Sequence, residues 1–211
     1  MRYAILQDGV SRSFPHGDPF LNGASSSADA EVVLHLGPRL TDDPTRKAVL
    51  VELGSECLSV HTGEAVGEEG SNVLGFARYR NGDDPPSPLI ELVRQAHTLE
   101  SAVAAARAVF ECAGLTVVIC TDQTGRIVDR LVRPKYNAAL RLLDEGLATA
   151  ADMDMTCRLG LGYRDGPIER VVRGGLAHHY DITRALFETF GTPGFAPARR
   201  SVVAAARRER G

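Results

Sequence analysis

The chain has 211 residues, 44% of them hydrophobic, and its 24 Lys and Arg against 27 Asp and Glu leave a formal net charge of −3. That size buries one good core or two small ones, and the near balance of charge excludes the electrostatic footprint that nucleic acid or an anionic membrane would require. No apolar run reaches the roughly 18 residues that could span a bilayer, and no charged segment followed by an apolar one opens the chain, so the expected location is the cytoplasm.

In chain order, Tyr3 to Leu6 reads as a short strand stopped by the turn pair Asp8-Gly9. The Gly-, Pro- and Ser-rich stretch from Ser11 to Ser27 reads as a loop, and the β-branched run Ala30 to Leu36 as a buried strand. Asp42-Asp43-Pro44 resembles a capped helix start and predicts a helix to about Leu53. Short strands are expected at Cys57 to His61 and at Asn72 to Tyr79, then a polar loop from Asn81 to Pro88. Thr98 suits an N-cap, and Leu99, Val103, Ala106 and Phe110 repeat at helical spacing until Gly114 stops them. Leu115 to Cys120 reads as another buried strand, so the first part alternates strand and helix as an α/β layer with a mostly parallel sheet does.

Beyond Gly125 the pattern is helical throughout. A long helix is predicted from about Arg126 to Glu145 with Pro134 inside it, and Thr149 with Asp152 three residues on forms a capping-box-like start for the next. Gly166-Pro167 opens a further helix, because proline at the first helical position gives up an amide that had no partner. His178-His179 is expected to be solvated, and the basic tail Arg199 to Arg210 to be a solvated helix end. Cys57, Cys112, Cys120 and Cys157 show no CxxC spacing and read as reduced core or near-core thiols.

From Asn72 onward, certain stretches occur in a recognisable order. They are Gly75-Phe76-Ala77-Arg78-Tyr79, Leu89-Ile90-Glu91-Leu92-Val93, and Thr124-Gly125-Arg126-Ile127-Val128-Asp129-Arg130. Pro134, the run Asp144 to Asp154, and Leu159-Gly160-Leu161-Gly162 followed by Gly166-Pro167 continue it. This order resembles the 3-hydroxyacyl-CoA dehydrogenase family. The resemblance implies a truncated Rossmann-like α/β domain over 1–122 followed by an all-α dimerisation domain over 123–211.

Two departures bear on what the resemblance implies. A dinucleotide fold needs a Gly-x-Gly-x-x-Gly turn and a helix after its first strand. Here Gln7-Asp8-Gly9-Val10-Ser11 follows with a single glycine and no helical pattern, as if two or more strand–helix units had been deleted before Ala30. In the family a histidine takes the proton of the substrate's 3-hydroxyl as hydride leaves for the nicotinamide, and a glutamate orients that imidazole. Glu91 matches the glutamate, Ala77 stands at the histidine's place, and Asp129 stands where the family has asparagine. Leu58 to Gly63 resembles the family's Ser-Asn-Thr-Ser turn, which makes Ser59 the candidate hydroxyl and His61 a candidate displaced base.

The expectation is therefore a family member degenerate in NAD binding and acid/base catalysis, with no cofactor, that pairs as a homodimer through its helical part and retains an acyl-CoA-binding role. The alternative is an active NAD-dependent 3-hydroxyacyl-CoA dehydrogenase that uses Glu91 with His61. Mixed dimers with a full-length relative are a third outcome. No nucleic-acid or membrane partner is expected.

Overall fold

The computed structural model describes residues 1–37, 39–63 and 72–210. They form two compact units, residues 1–80 with 85–126, and residues 81–84 with 127–211.

The first unit is built on a six-stranded sheet in sequence order: β1 (Tyr3–Gln7), β2 (Val32–Leu36), β3 (Ala48–Glu52), β4 (Val73–Arg78), β5 (Leu89–Arg94) and β6 (Thr116–Thr121). Neighbouring strands are parallel except for β4 and β5, which are antiparallel. Helix α2 (Glu100–Cys112) lies on one face, where Ala102, Val103, Ala106 and Phe110 join Leu34, Leu36, Leu50, Leu74, Ile90 and Leu92 in the main core. The loop between β1 and β2 fills the rest of that face with aromatic rings. Phe14 and Phe20 stack at 4.2 Å, Phe20 lies 5.6 Å from Phe110, and Tyr3 donates its hydroxyl to the Phe20 carbonyl. Each such side chain contributes roughly 1.5–3 kcal/mol on burial, so this loop is part of the core.

The predicted helix from Pro44 to Leu53 is instead β3. Its residues Ala48 to Val51 are all buried and pair with β2 on one side and β4 on the other. A strand covered on both faces loses the alternation that identifies half-buried strands. The predicted strand at Cys57–His61 is instead the single helical turn α1 (Ser59–Thr62). Thr98 does not cap α2; its hydroxyl accepts from the Gln95 amide, and Leu99 stands at the N-cap without a side-chain bond. Strand β5 was not anticipated as a strand, although its residues carried the resemblance.

The second unit consists of α3 (Arg126–Asp144, from Ile127 on), α4 (Ala150–Leu161), α5 (Pro167–Arg173), α6 (Leu176–Phe190) and α7 (Arg199–Arg208). Pro134 lies inside α3, Thr149 caps α4 by accepting from the Asp152 amide, and Pro167 stands in the first turn of α5. The buried carboxylate of Asp154 accepts from the amides of Ile168 and Glu169 at 2.8 and 2.9 Å, so α4 supplies the cap that Gly166 cannot. His179 is fully buried, against the expectation of a solvated pair. Its Nε2–H donates to Asn137 at 2.9 Å and its Nδ1 accepts from Arg133 at 3.3 Å. Among the described residues no helix is long and apolar enough to cross a membrane.

Candidate functional site

Strand register places the first group of site residues. In the antiparallel β4–β5 pair, Ala77 lies directly opposite Glu91. Opposed residues of such a pair point to the same face, so the methyl of Ala77 and the carboxylate of Glu91 are neighbours on the face away from α2. Both are buried, at 7% and 4% exposure. Arg126 stands beside this carboxylate, its Nε 3.8 Å from Glu91 Oε2 and itself making no hydrogen bond. Arg126 is itself buried and has a left-handed backbone, φ 45°. The local medium is of low polarity, since burial, and after it the charge of Glu91, pushes the thiol of nearby Cys120 up to about 11.

The second group sits on the segment 54–62. Arg126 extends past Glu91 to this segment, its Nη1 donating to the Glu56 carbonyl at 3.2 Å and its Nη2 to the Gly54 carbonyl. The Gly125 amide donates to the Ser55 carbonyl at 2.8 Å. Asp122, just beyond β6, accepts from the amides of Leu58 and Ser59 at 2.5 and 2.9 Å and from the Ser59 hydroxyl at 2.6 Å. Gln95 donates to Ser59 and Asp122, and accepts from Thr62 at 3.1 Å. These bonds to a distant carboxylate are what turn Ser59–Thr62 into a helical turn. His61 Nε2 meets Glu56 Oε1 at 3.4 Å.

Of the four sequence candidates, Ser59, His61 and Glu91 lie in the first unit, yet His61 is partnered by Glu56 and Glu91 by Arg126. Asp129 belongs to the second unit, where its carboxylate accepts from Arg133 at 2.8 Å within α3. Sequence reasoning missed Arg126, Glu56, Asp122 and Gln95. The one local signal was Glu56, five positions before His61.

The carboxyl end of β1 is where a dinucleotide would lie. A pyrophosphate there is bound by free amides of a glycine turn and a helix N-terminus. Here the Asp8 amide donates to the Leu36 carbonyl, the Gln7 side chain donates to the Gly9 carbonyl, and the carboxylate of Asp8 packs on Gly37. Asp8, whose carboxylate is paired with the exposed Arg39 at 3.6 Å, stands where a glycine turn would offer amides, and among the described residues no α-helix stands between β1 and β2 to face a pyrophosphate, so the residues present do not fit it. Among the described residues no group of three or more His, Cys, Asp or Glu is arranged to hold a metal ion.

The comparisons with known proteins point in one direction. Residues 125–211 match the model of the 3-hydroxyacyl-CoA dehydrogenase C-terminal domain. A 3-hydroxybutyryl-CoA dehydrogenase of Mycobacterium tuberculosis is 34% identical over 114 residues, 54% of this chain and 40% of that protein. The mitochondrial hydroxyacyl-coenzyme A dehydrogenase of Sus scrofa is 28% identical over 220 aligned positions, 89% of this chain and 67% of the relative. The crystal structure of M. tuberculosis FadB2 superposes with a TM-score of 0.72 at 24% identity, over 85% of this chain and 66% of that one. The chain thus spans less than half the length of the first curated relatives it matches.

Proposed function

Because residues 125–211 make the chain a member of the 3-hydroxyacyl-CoA dehydrogenase family, we propose that it is a two-domain member, divided at residues 122 and 123, that binds acyl-CoA and pairs with itself but does not perform nicotinamide-dependent oxidation. The observation that carries this reading is the Glu91 carboxylate. It faces a methyl group in register and stands 3.8 Å from the permanent cation of Arg126. In the family's chemistry such a carboxylate charges a histidine. Arg126 accepts no proton near neutral pH and Ala77 has no proton-accepting group, so the pair as it stands lacks the imidazole that this carboxylate would orient. The acceptor-lined end of β1 supports the same reading.

Self-pairing draws support from apolar side chains exposed in the helical unit. Leu159 is 82% exposed, with Met155 one turn before it on α4, and Leu161 and Leu147 are exposed as well. Exposed apolar groups of this size favour burial in an interface.

The test is thermal shift of the full chain with NAD, NADH, CoA and acetoacetyl-CoA, since a ligand of the native state raises the melting temperature. The CoA thioester is expected to raise it and NADH to leave it unchanged. A shift with NADH, or oxidation of NADH by acetoacetyl-CoA, reverses the conclusion. The alternative, an active NAD-dependent dehydrogenase with a displaced base, is favoured by the His61–Glu56 contact; it predicts NADH oxidation that disappears in His61→Ala.

A further inference from the structure

Away from the Ala77–Glu91 pair, one titratable couple is assembled and braced from two sides. His61 and Glu56 meet at 3.4 Å, with the imidazole side chain only 10% exposed. Glu56 is anchored through its backbone to Arg126, and its Oε1 also accepts from the Gly54 amide at 2.9 Å. The turn that carries His61 is anchored through Leu58 and Ser59 to Asp122, and through Thr62 to Gln95. Arg126 reaches the segment from a backbone conformation that is costly for a residue with a Cβ, and buries its charge against Glu91. Such a cost persists where the surroundings hold the side chain in one place.

A histidine that donates Nε2–H to a carboxylate is fixed in one tautomer. Its Nδ1 then carries the lone pair. Among the described residues Nδ1 makes no hydrogen bond. The arrangement is that of an oriented general base, displaced from the Ala77–Glu91 pair onto a different carboxylate.

We propose that His61, oriented by Glu56, transfers protons at the carbon next to the thioester carbonyl of a bound acyl-CoA, and that Arg126 is the positioning residue that holds Glu56 in place. The proposal rests on the acyl-CoA reading above. In the step, the Cα–H bond breaks, its electron pair moves into the enolate with charge on the thioester oxygen, and the proton goes to His61 Nδ1. Return of a proton from the same nitrogen restores the thioester. No oxidant and no hydride acceptor enters the balance.

The full chain in D2O with 3-hydroxybutyryl-CoA provides the test, with deuterium at C2 followed by NMR and binding followed by thermal shift. The wild type is expected to exchange C2 protons faster than buffer, and His61→Gln to lose roughly 100-fold or more of that rate, the usual worth of a general base. Glu56→Gln is expected to lose about 10-fold in kcat at unchanged KM. In the same variant the 15N ring signals of His61 should change from one tautomer to a mixture, which a merely structural role would not produce. Arg126→Lys should reproduce the Glu56→Gln spectrum. Binding without exchange overturns the proton-transfer proposal and leaves the acyl-CoA reading standing; neither binding nor exchange overturns both. Exchange at the wild-type rate in His61→Gln also overturns the proposal.

Discussion

Lowering the pH should destabilise this protein through His179. The residue has no exposed surface, and Arg133, itself paired with Asp129, donates to its Nδ1. Burial above all, then the charge of Arg133 and then that of His178, lowers its pKa from 6.5 to about 3. The unfolded chain takes up a proton below 6.5, whereas the folded chain refuses it until about 3. The contribution is therefore complete above 6.5 and is lost as the pH falls from there towards 3. At about 1.4 kcal/mol per unit, the difference between 6.5 and about 3 is worth on the order of 5 kcal/mol. Urea unfolding at steps from about pH 7.5 to about pH 4.5 measures it, as a slope of up to about 1.4 kcal/mol per pH unit. Carboxylates add to the slope in the same direction, since hydrogen bonds from Arg199 and Arg208 hold Asp144 and Asp181 below the usual range. The decisive quantity is thus the difference from His179→Gln, in which the imidazole component is gone. Parallel curves for the two proteins, or an NMR titration of folded His179 near 6.5, would refute the reasoning.

Three further outcomes follow from the same geometry. Arg126→Met removes the cation beside Glu91 and the two donors to the Gly54 and Glu56 carbonyls and should destabilise the chain, whereas adding Glu91→Leu should recover only the part due to the charge pair; a double-mutant cycle by urea denaturation reads that coupling. Asp154→Ala removes the acceptor of two amides at the start of α5 and should lower stability by about 2 kcal/mol, seen as a fall in urea midpoint at unchanged slope. Leu159→Glu places a charge in the face proposed to pair and, on that proposal, should shift the chain to a monomer by light scattering, while its circular dichroism stays that of the wild type, because the side chain is exposed within one copy.

Much of the fold was legible wherever one local pattern decided the outcome. Helices α3 and α4 followed from periodicity and the Thr149 cap, α5 from Pro167, and β1, β2 and β4 from short apolar runs closed by turn residues; β6 is the strand expected, but only Val117 in it is buried, because it lies at the sheet's edge. The reading failed where partners far along the chain decided. Residues 48–52 carry no alternation because both faces are covered, so only sheet pairing makes them β3. Ser59 to Thr62 turn helical because a carboxylate 63 and 64 positions away takes the amides of Ser59 and Leu58.

The candidate site divides in the same manner. The resemblance to the family, carried by motifs in order along the chain, was enough to relate Ala77 to Glu91 and to single out Ser59 and His61. Tertiary structure alone decided that Glu91 stands beside Arg126, that His61 turns to Glu56, and that His179 lies buried against Asn137 and Arg133, 42 and 46 positions away. The reason is physical. Periodicity, caps and turns act over a few residues and are written in composition, whereas the partner of a buried charge is whichever group the folded chain brings within reach, and no spacing records that.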